Sequence, residues 1–212
     1  MQLSLIEGQT VNIDGRNKAF TRQAPPRTAK FYSLAAARDY IGTIKPGCEI
    51  LGLSKGQFSL SDLVACICED VGACELDIST WTAAGADATR MIDLVESGAV
   101  TRARWVVDNI FVKRQPALAR AIVENGGEMR ILKTHAKFCV FRGAELTVSL
   151  RTSMNLNANP RVEYFEITEG REMAGFFTGY IDAVFDNAEG QRVSLADIAT
   201  PDDSGGDVLA ML

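Results

Sequence analysis

Two short polar clusters in residues 134–167 contain the residue types that attack a phosphodiester. His135, the one histidine of the 212-residue chain, is followed two positions later by Lys137, and Ser153 is followed two positions later by Asn155. Side chains two apart on an extended backbone share a face, so each pair lies side by side at the edge of an apolar strand. An imidazole attacks phosphorus or transfers a proton, while ammonium, hydroxyl and amide groups stabilise charge on phosphate oxygens. The clusters therefore predict a phosphodiester-cleaving site.

The order of these two clusters, with a glutamate downstream, resembles the HKD signature of the phospholipase D superfamily, usually written HxKx4Dx6GSxN. The chain departs from that pattern at three points. Arg142 stands at the aspartate position, Thr152 replaces the glycine before the serine, and the gap between the two halves is three residues longer. In the superfamily the aspartate is mainly structural. The resemblance covers residues 30–187 and implies the fold of one phospholipase D repeat.

A glutamate orients the histidine in that superfamily. Glu163 takes this position if the loop after Asn155 is short, whereas Glu166 takes it by the usual spacing. Since the two glutamates are three residues apart, only one of them faces the site from a single strand. We favour Glu163.

The superfamily mechanism uses two histidines: one forms a covalent phosphohistidine, and the other protonates the leaving oxygen and later activates water. Because this chain has one histidine, the resemblance implies a homodimer with a shared site. It also implies that the reaction needs no metal and no cofactor. Small single-motif members commonly cut DNA, so the resemblance favours a metal-independent nuclease with DNA as its partner.

A second hypothesis is a catalytically inactive relative that binds nucleic acid or a protein partner. The replacements at Arg142 and Thr152 and the net charge of −5 favour it. The stretch RTSMNLNANPR is also similar to phospholipase D-like proteins of bacteriophages and prophages. Such a protein would have a regulatory or structural role in a phage.

Strand and helix patterns alternate from residue 48 to residue 125, and consecutive strands follow. Apolar strands are predicted at residues 48–53, 74–81 and 102–109, each followed by a helix, at residues 59–71, 87–97 and 115–125. Further strands are predicted at residues 129–132, 137–141, 146–150 and 163–168, and a final helix at residues 171–185. Three β-α units in series predict an α/β fold with a mixed, largely parallel β-sheet flanked by helices.

These patterns divide the chain into three parts. Residues 1–28 are expected to form an irregular basic arm with one short strand at residues 2–6. Residues 29–187 form the phospholipase D-like domain, beginning with a helix over residues 30–44. Residues 188–212 form a flexible acidic tail. The arm suits a polyanion, or an acidic surface on its own or a neighbouring subunit.

Ligands of open α/β sheets bind at the carboxyl ends of parallel strands. Lys55 follows the first of these strands, and together with the helix start near Ser59 it is a candidate phosphate contact. Trp81 and Phe111 follow the next two strands and are candidates for stacking on a base. Thr152, at the end of a later strand, is a further candidate substrate contact.

Composition excludes several classes of protein. No apolar run approaches the roughly 20 residues of a membrane span, and the N-terminus lacks a basic region followed by an apolar one, so we expect a cytoplasmic protein with no membrane partner. The five cysteines, an odd number, are expected to be buried free thiols rather than a disulfide framework or a zinc site.

Overall fold

The computed structural model describes residues 2–6, 9–12, 18–21, 24–28, 34–157, 161–186 and 190–198, with the backbone alone up to residue 35. Its elements are, in chain order, β1 Gln2–Ile6, β2 Gln9–Asn12, β3 Lys18–Thr21, β4 Ala24–Thr28, α1 Leu34–Ile41, β5 Glu49–Ser54, α2 Leu60–Val71, β6 Cys74–Thr80, α3 Gly85–Glu96, β7 Val100–Val107, α4 Asn109–Arg114, α5 Pro116–Glu124, β8 Glu128–Ile131, β9 Phe138–Arg142, β10 Thr147–Thr152, β11 Glu163–Glu169, α6 Arg171–Asp186 and β12 Gln191–Arg192. A single 3-10 turn, Leu195–Asp197, follows β12.

Ten of these strands form one mixed sheet in the order β12-β8-β7-β6-β9-β10-β11-β5-β3-β4. Only β6, β7 and β8 pair in parallel, and the other neighbouring pairs of this sheet are antiparallel. The predicted mixed sheet flanked by helices is therefore confirmed, but the prediction that it is largely parallel is wrong. The reason is that β9, β10 and β11 lie between β5 and β6. These two strands run in the same direction without pairing.

Helices cover both faces of the sheet. On β7, Trp105 and Val107 point into the larger core, which contains residues of α1 to α5. Val106 points the other way and packs with Ile181 and Val184 of α6. The alternation follows from the two-residue period of a strand. Among the described helices, α1 to α5 pack on one face of the sheet and α6 packs on the other.

Local signals explain where the helices begin and end. Ser59 and Asp62 form a reciprocal capping box at the start of α2, and Gly72, with a φ of 75°, follows its last residue. The predicted strand at residues 102–109 ends earlier, at Val107, because the Asp108 side chain accepts a hydrogen bond from the Ile110 backbone at 3.1 Å and caps α4. The sequence interpretation did not include this short helix.

The N-terminal part contains more strands than predicted. The strand expected at residues 2–6 is confirmed as β1, which pairs with β2. In place of the expected irregular arm, β3 pairs with both β5 and β4 and extends the sheet. Residues 30–33 of the predicted helix, and residues 188–189 and 199–212 of the predicted tail, lie outside the described residues. The part of the tail that is described includes β12, which pairs with β8.

All five cysteines are buried and free, as expected. In the described part of the chain, no helix has the length and apolar character that crossing a membrane requires.

A buried carboxylate connects β6, β7, β9 and α6. Asp77 on β6 has no exposed surface, and Arg104 on β7 donates to it from Nε at 2.6 Å and from Nη2 at 2.7 Å. Arg142 on β9 also donates to Asp77, and Arg104 reaches Asp182 of α6 at 2.7 Å. Burial raises the pKa of Asp77, but hydrogen bonds from the two arginines outweigh it and hold that pKa below its usual value.

Replacement of Asp77 by Asn is expected to lower the free energy of unfolding by about 3–5 kcal/mol, because the buried Arg104 and the partly buried Arg142 lose their shared carboxylate. Urea denaturation followed by circular dichroism measures the change. Glu75→Gln is the matched control: Glu75 also contacts Arg142, at 3.0 Å, but its side chain is 45% exposed. We expect this control to cost less than about 1 kcal/mol.

The pH dependence of the same pair of proteins provides a second check. Because the folded-state pKa of Asp77 is lowered, its stabilisation is complete above the unfolded pKa of about 3.9 and is lost as pH falls through the folded pKa. The stability difference between wild type and Asp77→Asn should therefore shrink below about pH 4. Equal stabilities at neutral pH would contradict the structural role of Asp77.

Candidate active site

The candidate catalytic residues gather at one edge of the sheet. The strands β5, β6, β7 and β10 end at this edge, and β9 and β11 begin there. His135 and Lys137 precede β9, Ser153 follows β10, Glu163 opens β11, and Lys55 follows β5. Because β9, β10 and β11 lie between β5 and β6, residues that are far apart in the sequence come together at this edge.

Hydrogen bonds fix the loops at this edge. Ser79 on β6 donates from its hydroxyl to the carbonyl of Ala136 at 3.0 Å, which holds the loop before β9. Leu156, after β10, accepts from the backbone N–H of Ala84 at 2.7 Å and donates to the carbonyl of Thr82 at 3.2 Å. The loop after β6 is thus tied to the loop after β10, on both sides of His135.

Lys137 lies against the imidazole of His135. Its Nζ is 3.1 Å from Nδ1 and 3.2 Å from Nε2, and it donates to the His135 carbonyl at 2.9 Å. His135 is exposed, whereas Lys137 is only 8% exposed. Burial lowers the pKa of the Lys137 ammonium, and the negative charge of Glu163 opposes that shift. A phosphate on the imidazole would meet a cation that is already partly desolvated.

Of the two candidate glutamates, Glu163 is the one at this edge. The hydroxyl of Ser153 donates to the Glu163 carboxylate and accepts from the Tyr164 backbone N–H at 3.0 Å. Glu166 instead forms an ion pair with Arg151 at 2.6 Å, on the opposite face of β11. The structure thus places Ser153 and Glu163 in contact and leaves Glu166 away from them.

Two polar residues beside Ser153 differ in what remains available for a ligand. The side-chain Oδ1 of Asn155 is buried and has no hydrogen-bond partner within the described residues, so this amide oxygen is an unused acceptor for a donor group of a ligand. Thr152 is 5% exposed, and its hydroxyl donates to the Tyr164 carbonyl at 2.7 Å and accepts from the Met154 N–H at 2.9 Å. Thr152 therefore supports the turn after β10 in place of the predicted substrate contact.

Two of the predicted ligand contacts near the strand ends are taken by other interactions. At the start of α2, the backbone N–H groups of Asp62 and Ser59 are bound by the capping box of Ser59 and Asp62, which leaves fewer donors for a phosphate there. Phe111 is completely buried, with its ring 6.4 Å from that of Trp105, and offers no surface to a base. Lys55 remains exposed, in the turn after β5.

Trp81 is partly exposed beside the histidine, with ring centroids 5.6 Å apart. The guanidinium of Arg114, at the end of α4, lies 5.9 Å from the centre of the Trp81 ring. The sequence interpretation missed Arg114 because it did not include α4. The signal was present, since Asp108 is a typical helix cap six residues earlier.

Sequence comparisons find no matching protein-family model and no matching curated protein. Structural comparison does find similar chains. Nuc from Salmonella typhimurium, a phospholipase D family member, superposes with a TM-score of 0.55 at 15% sequence identity, over 68% of this chain and 97% of its own. This chain has a phospholipase D-like fold.

Two larger proteins also superpose on this phospholipase D-like domain. A polyphosphate kinase from Porphyromonas gingivalis does so at 13% identity with a TM-score of 0.51, over 65% of this chain and 26% of its own. A phosphatidylserine synthase from Haemophilus influenzae Rd KW20 does so at 12% identity with a TM-score of 0.51, over 71% of this chain and 42% of its own. These identities establish the fold, and the chemistry has to be argued from the site.

Arg142, at the motif's aspartate position, lies on the other side of the phospholipase D-like sheet from the site. It is bound to Asp77 beneath α6, whereas Lys137 lies on the face of the larger core, as their spacing of five predicts.

Throughout the described ranges, no three His, Cys, Asp or Glu side chains are grouped as a metal site requires.

The environment of Lys137 leads to a prediction that does not depend on activity. Because the charge of Glu163 raises the Lys137 pKa against the effect of burial, Glu163→Gln should lower that pKa further. Heteronuclear NMR of the lysine Cε and Nζ groups follows the titration. Glu166→Gln is the matched control, since it removes a carboxylate paired with Arg151 on the other face. An equal effect of both variants would contradict the assignment of Glu163 to the site.

Proposed function

We propose that this protein is a metal-independent phosphodiesterase, a nuclease that cuts DNA through a phosphohistidine in a homodimeric shared site. The observation that carries the proposal is the contact between Lys137 and both ring nitrogens of the chain's one histidine, beside the Ser153–Glu163 pair. A nucleophile, a fixed cation and hydrogen-bond donors at one strand edge are what an in-line displacement at phosphorus requires.

In this reaction a neutral ring nitrogen of His135 attacks phosphorus. A P–N bond forms and the P–O bond to the leaving group breaks, while the Lys137 ammonium and the Asn155 amide N–H groups stabilise the charge on the phosphate oxygens. The Ser153 hydroxyl joins them by turning its proton from Glu163 to the phosphate. His135 of the partner subunit donates a proton to the leaving oxygen. The same imidazole then takes a proton from water, whose oxygen attacks phosphorus and breaks the P–N bond.

The need for a second copy follows from this proton balance. The departing oxygen must gain a proton at the moment when the nucleophilic imidazole is bound to phosphorus, so one ring cannot perform both tasks. His135 is exposed at the sheet edge, where a second copy can reach the phosphate bound there. A cytoplasmic location and a phage or prophage origin belong to the same proposal.

The second candidate is a catalytically inactive phospholipase D-like protein that binds nucleic acid or a protein partner. Two observations favour it. Arg142, bound to Asp77, replaces the motif's aspartate, and the Ser153 hydroxyl already donates to Glu163. This candidate predicts binding of DNA without cutting.

Cleavage of plasmid and single-stranded DNA in EDTA tests the proposal. Wild type should cut both, and His135→Ala should cut at least about 10²–10⁴-fold more slowly, because the nucleophile and the acid are both lost from the dimer. Glu166→Gln is the matched control outside the site and should retain cleavage. Circular dichroism and thermal unfolding of His135→Ala should match wild type.

Sedimentation equilibrium of the same samples tests the shared site. The expected mass is twice the 23.0 kDa of the chain. Cleavage that survives in His135→Ala, or full activity in a monomer, would overturn the proposed mechanism. A dimer that binds DNA in EDTA without cutting it would establish the second candidate.

A further inference from the structure

The two sides of His135 have different chemistry. Ser153 and Glu163 lie on the β10 and β11 side, where hydroxyl and carboxylate groups meet. Trp81 follows β6, and Arg114 ends the helix that follows β7, so both lie on the opposite side. The Trp81 indole contacts both His135 and Arg114, with its ring centre 5.6 Å from the centre of the imidazole and 5.9 Å from the guanidinium carbon.

Trp81 is not a core residue. The other tryptophan, Trp105, is 2% exposed and packs inside the larger core, whereas Trp81 is partly exposed and lies beside His135. Its exposed area is therefore available to a ligand. The contact with His135 means that a ligand bound at the imidazole has the indole as its next neighbour.

Arg114 is an exposed cation that contacts the Trp81 ring. Within residues 34–157, 161–186 and 190–198 it forms no ion pair with a carboxylate, and the same is true of the exposed Lys113, its neighbour in sequence, and of the exposed Lys133, two residues before His135. This part of an acidic chain thus combines unpaired positive charge with an exposed indole. Proteins that hold single-stranded nucleic acid use the same combination.

We propose that Trp81 and Arg114 form a nucleoside subsite that binds an unpaired nucleotide next to the scissile phosphate. The base stacks between the indole and the guanidinium, both of which are surfaces on which unstacked bases pack. Stacking needs about 3.5–4 Å on each side of the base, so the guanidinium moves outward by only about 1–2 Å from its present position. The inference rests on the proposed phosphodiesterase activity of His135 and names its substrate class.

The requirement for an unpaired nucleotide follows from geometry. In a duplex each base is covered by its neighbours and held by its pairing partner, so its face cannot reach a protein ring unless the base leaves the stack. A single strand or an unpaired end exposes that face without this cost. The subsite therefore favours single-stranded DNA over blunt duplex.

Three small diesters with the same leaving group isolate the nucleoside contact. Thymidine 5′-(4-nitrophenyl) phosphate and its 3′ isomer are compared with methyl 4-nitrophenyl phosphate, and 4-nitrophenolate release is measured in EDTA. Wild type should have a kcat/KM about tenfold or more higher for at least one of the thymidine esters. Trp81→Ala and Arg114→Ala should lower this ratio towards one, and Trp81→Phe should retain most of it.

Lys113→Ala is the matched control. Lys113 is the exposed residue next to Arg114, and its replacement removes the same positive charge without removing the contact with the Trp81 ring. We expect it to leave the ratio unchanged. A ratio near one in wild type, with methyl 4-nitrophenyl phosphate still cleaved, overturns the subsite and leaves the phosphodiesterase intact. Equal cleavage of single-stranded and blunt duplex DNA overturns the preference for an unpaired nucleotide.

If wild type cleaves none of the diesters, the proposed activity fails and binding decides the subsite. Fluorescence anisotropy then compares labelled oligothymidylate with an abasic oligomer of equal length and charge. Tighter binding of oligothymidylate that Trp81→Ala abolishes supports the subsite in an inactive binding protein. Equal binding of the two oligomers overturns it.

Discussion

Strand direction is the constraint on which the site depends. Three antiparallel strands, β9 to β11, are inserted between β5 and β6, two strands that point the same way. Loops from both the parallel and the antiparallel parts of the sheet therefore open onto one edge. Strand ends are where polar side chains can converge without breaking the hydrogen bonds of the sheet, so histidine, lysine, serine and glutamate meet there at no cost to the core.

Two of the buried charged groups, Asp77 and Lys137, have different surroundings. Asp77 is neutralised by two arginines, and its low pKa keeps it ionised as part of the framework. Lys137 is also buried, and it contacts a histidine ring and a carbonyl oxygen while the negative charge of Glu163 opposes the effect of burial on its pKa. Burial still lowers that pKa, so a bound phosphate would add to the stabilisation of the ammonium. Asp77 is held by two direct arginine contacts, whereas Lys137 is the buried charge that lies beside the candidate nucleophile.

Features that depend on the periodicity of apolar residues and on short spacings could be predicted from the sequence. The strands, the mixed α/β class and the contact between His135 and Lys137 depend on neighbours within a few residues. The order of strands does not, because nothing local indicates that β9 to β11 pair between β5 and β6. The same limit explains Thr152, whose position beside Ser153 suggested a substrate contact but whose hydroxyl is bound to the backbone of β11 and of its own turn.

The residues of the two polar clusters, such as His135 and Lys137, and the pair Trp81 and Arg114 would contact different parts of a substrate. The motif residues lie at strand edges, which are rigid, and would treat any phosphodiester alike because they address only the phosphate. Trp81 and Arg114 lie on loops and a short helix beyond β6 and β7, where sequence varies with least effect on the core. In the proposed reaction the leaving oxygen lies opposite His135, so a partner subunit would approach across the phosphate. On that geometry the proposed dimer would supply the acid, and the loops of each chain would determine which substrate is held against it.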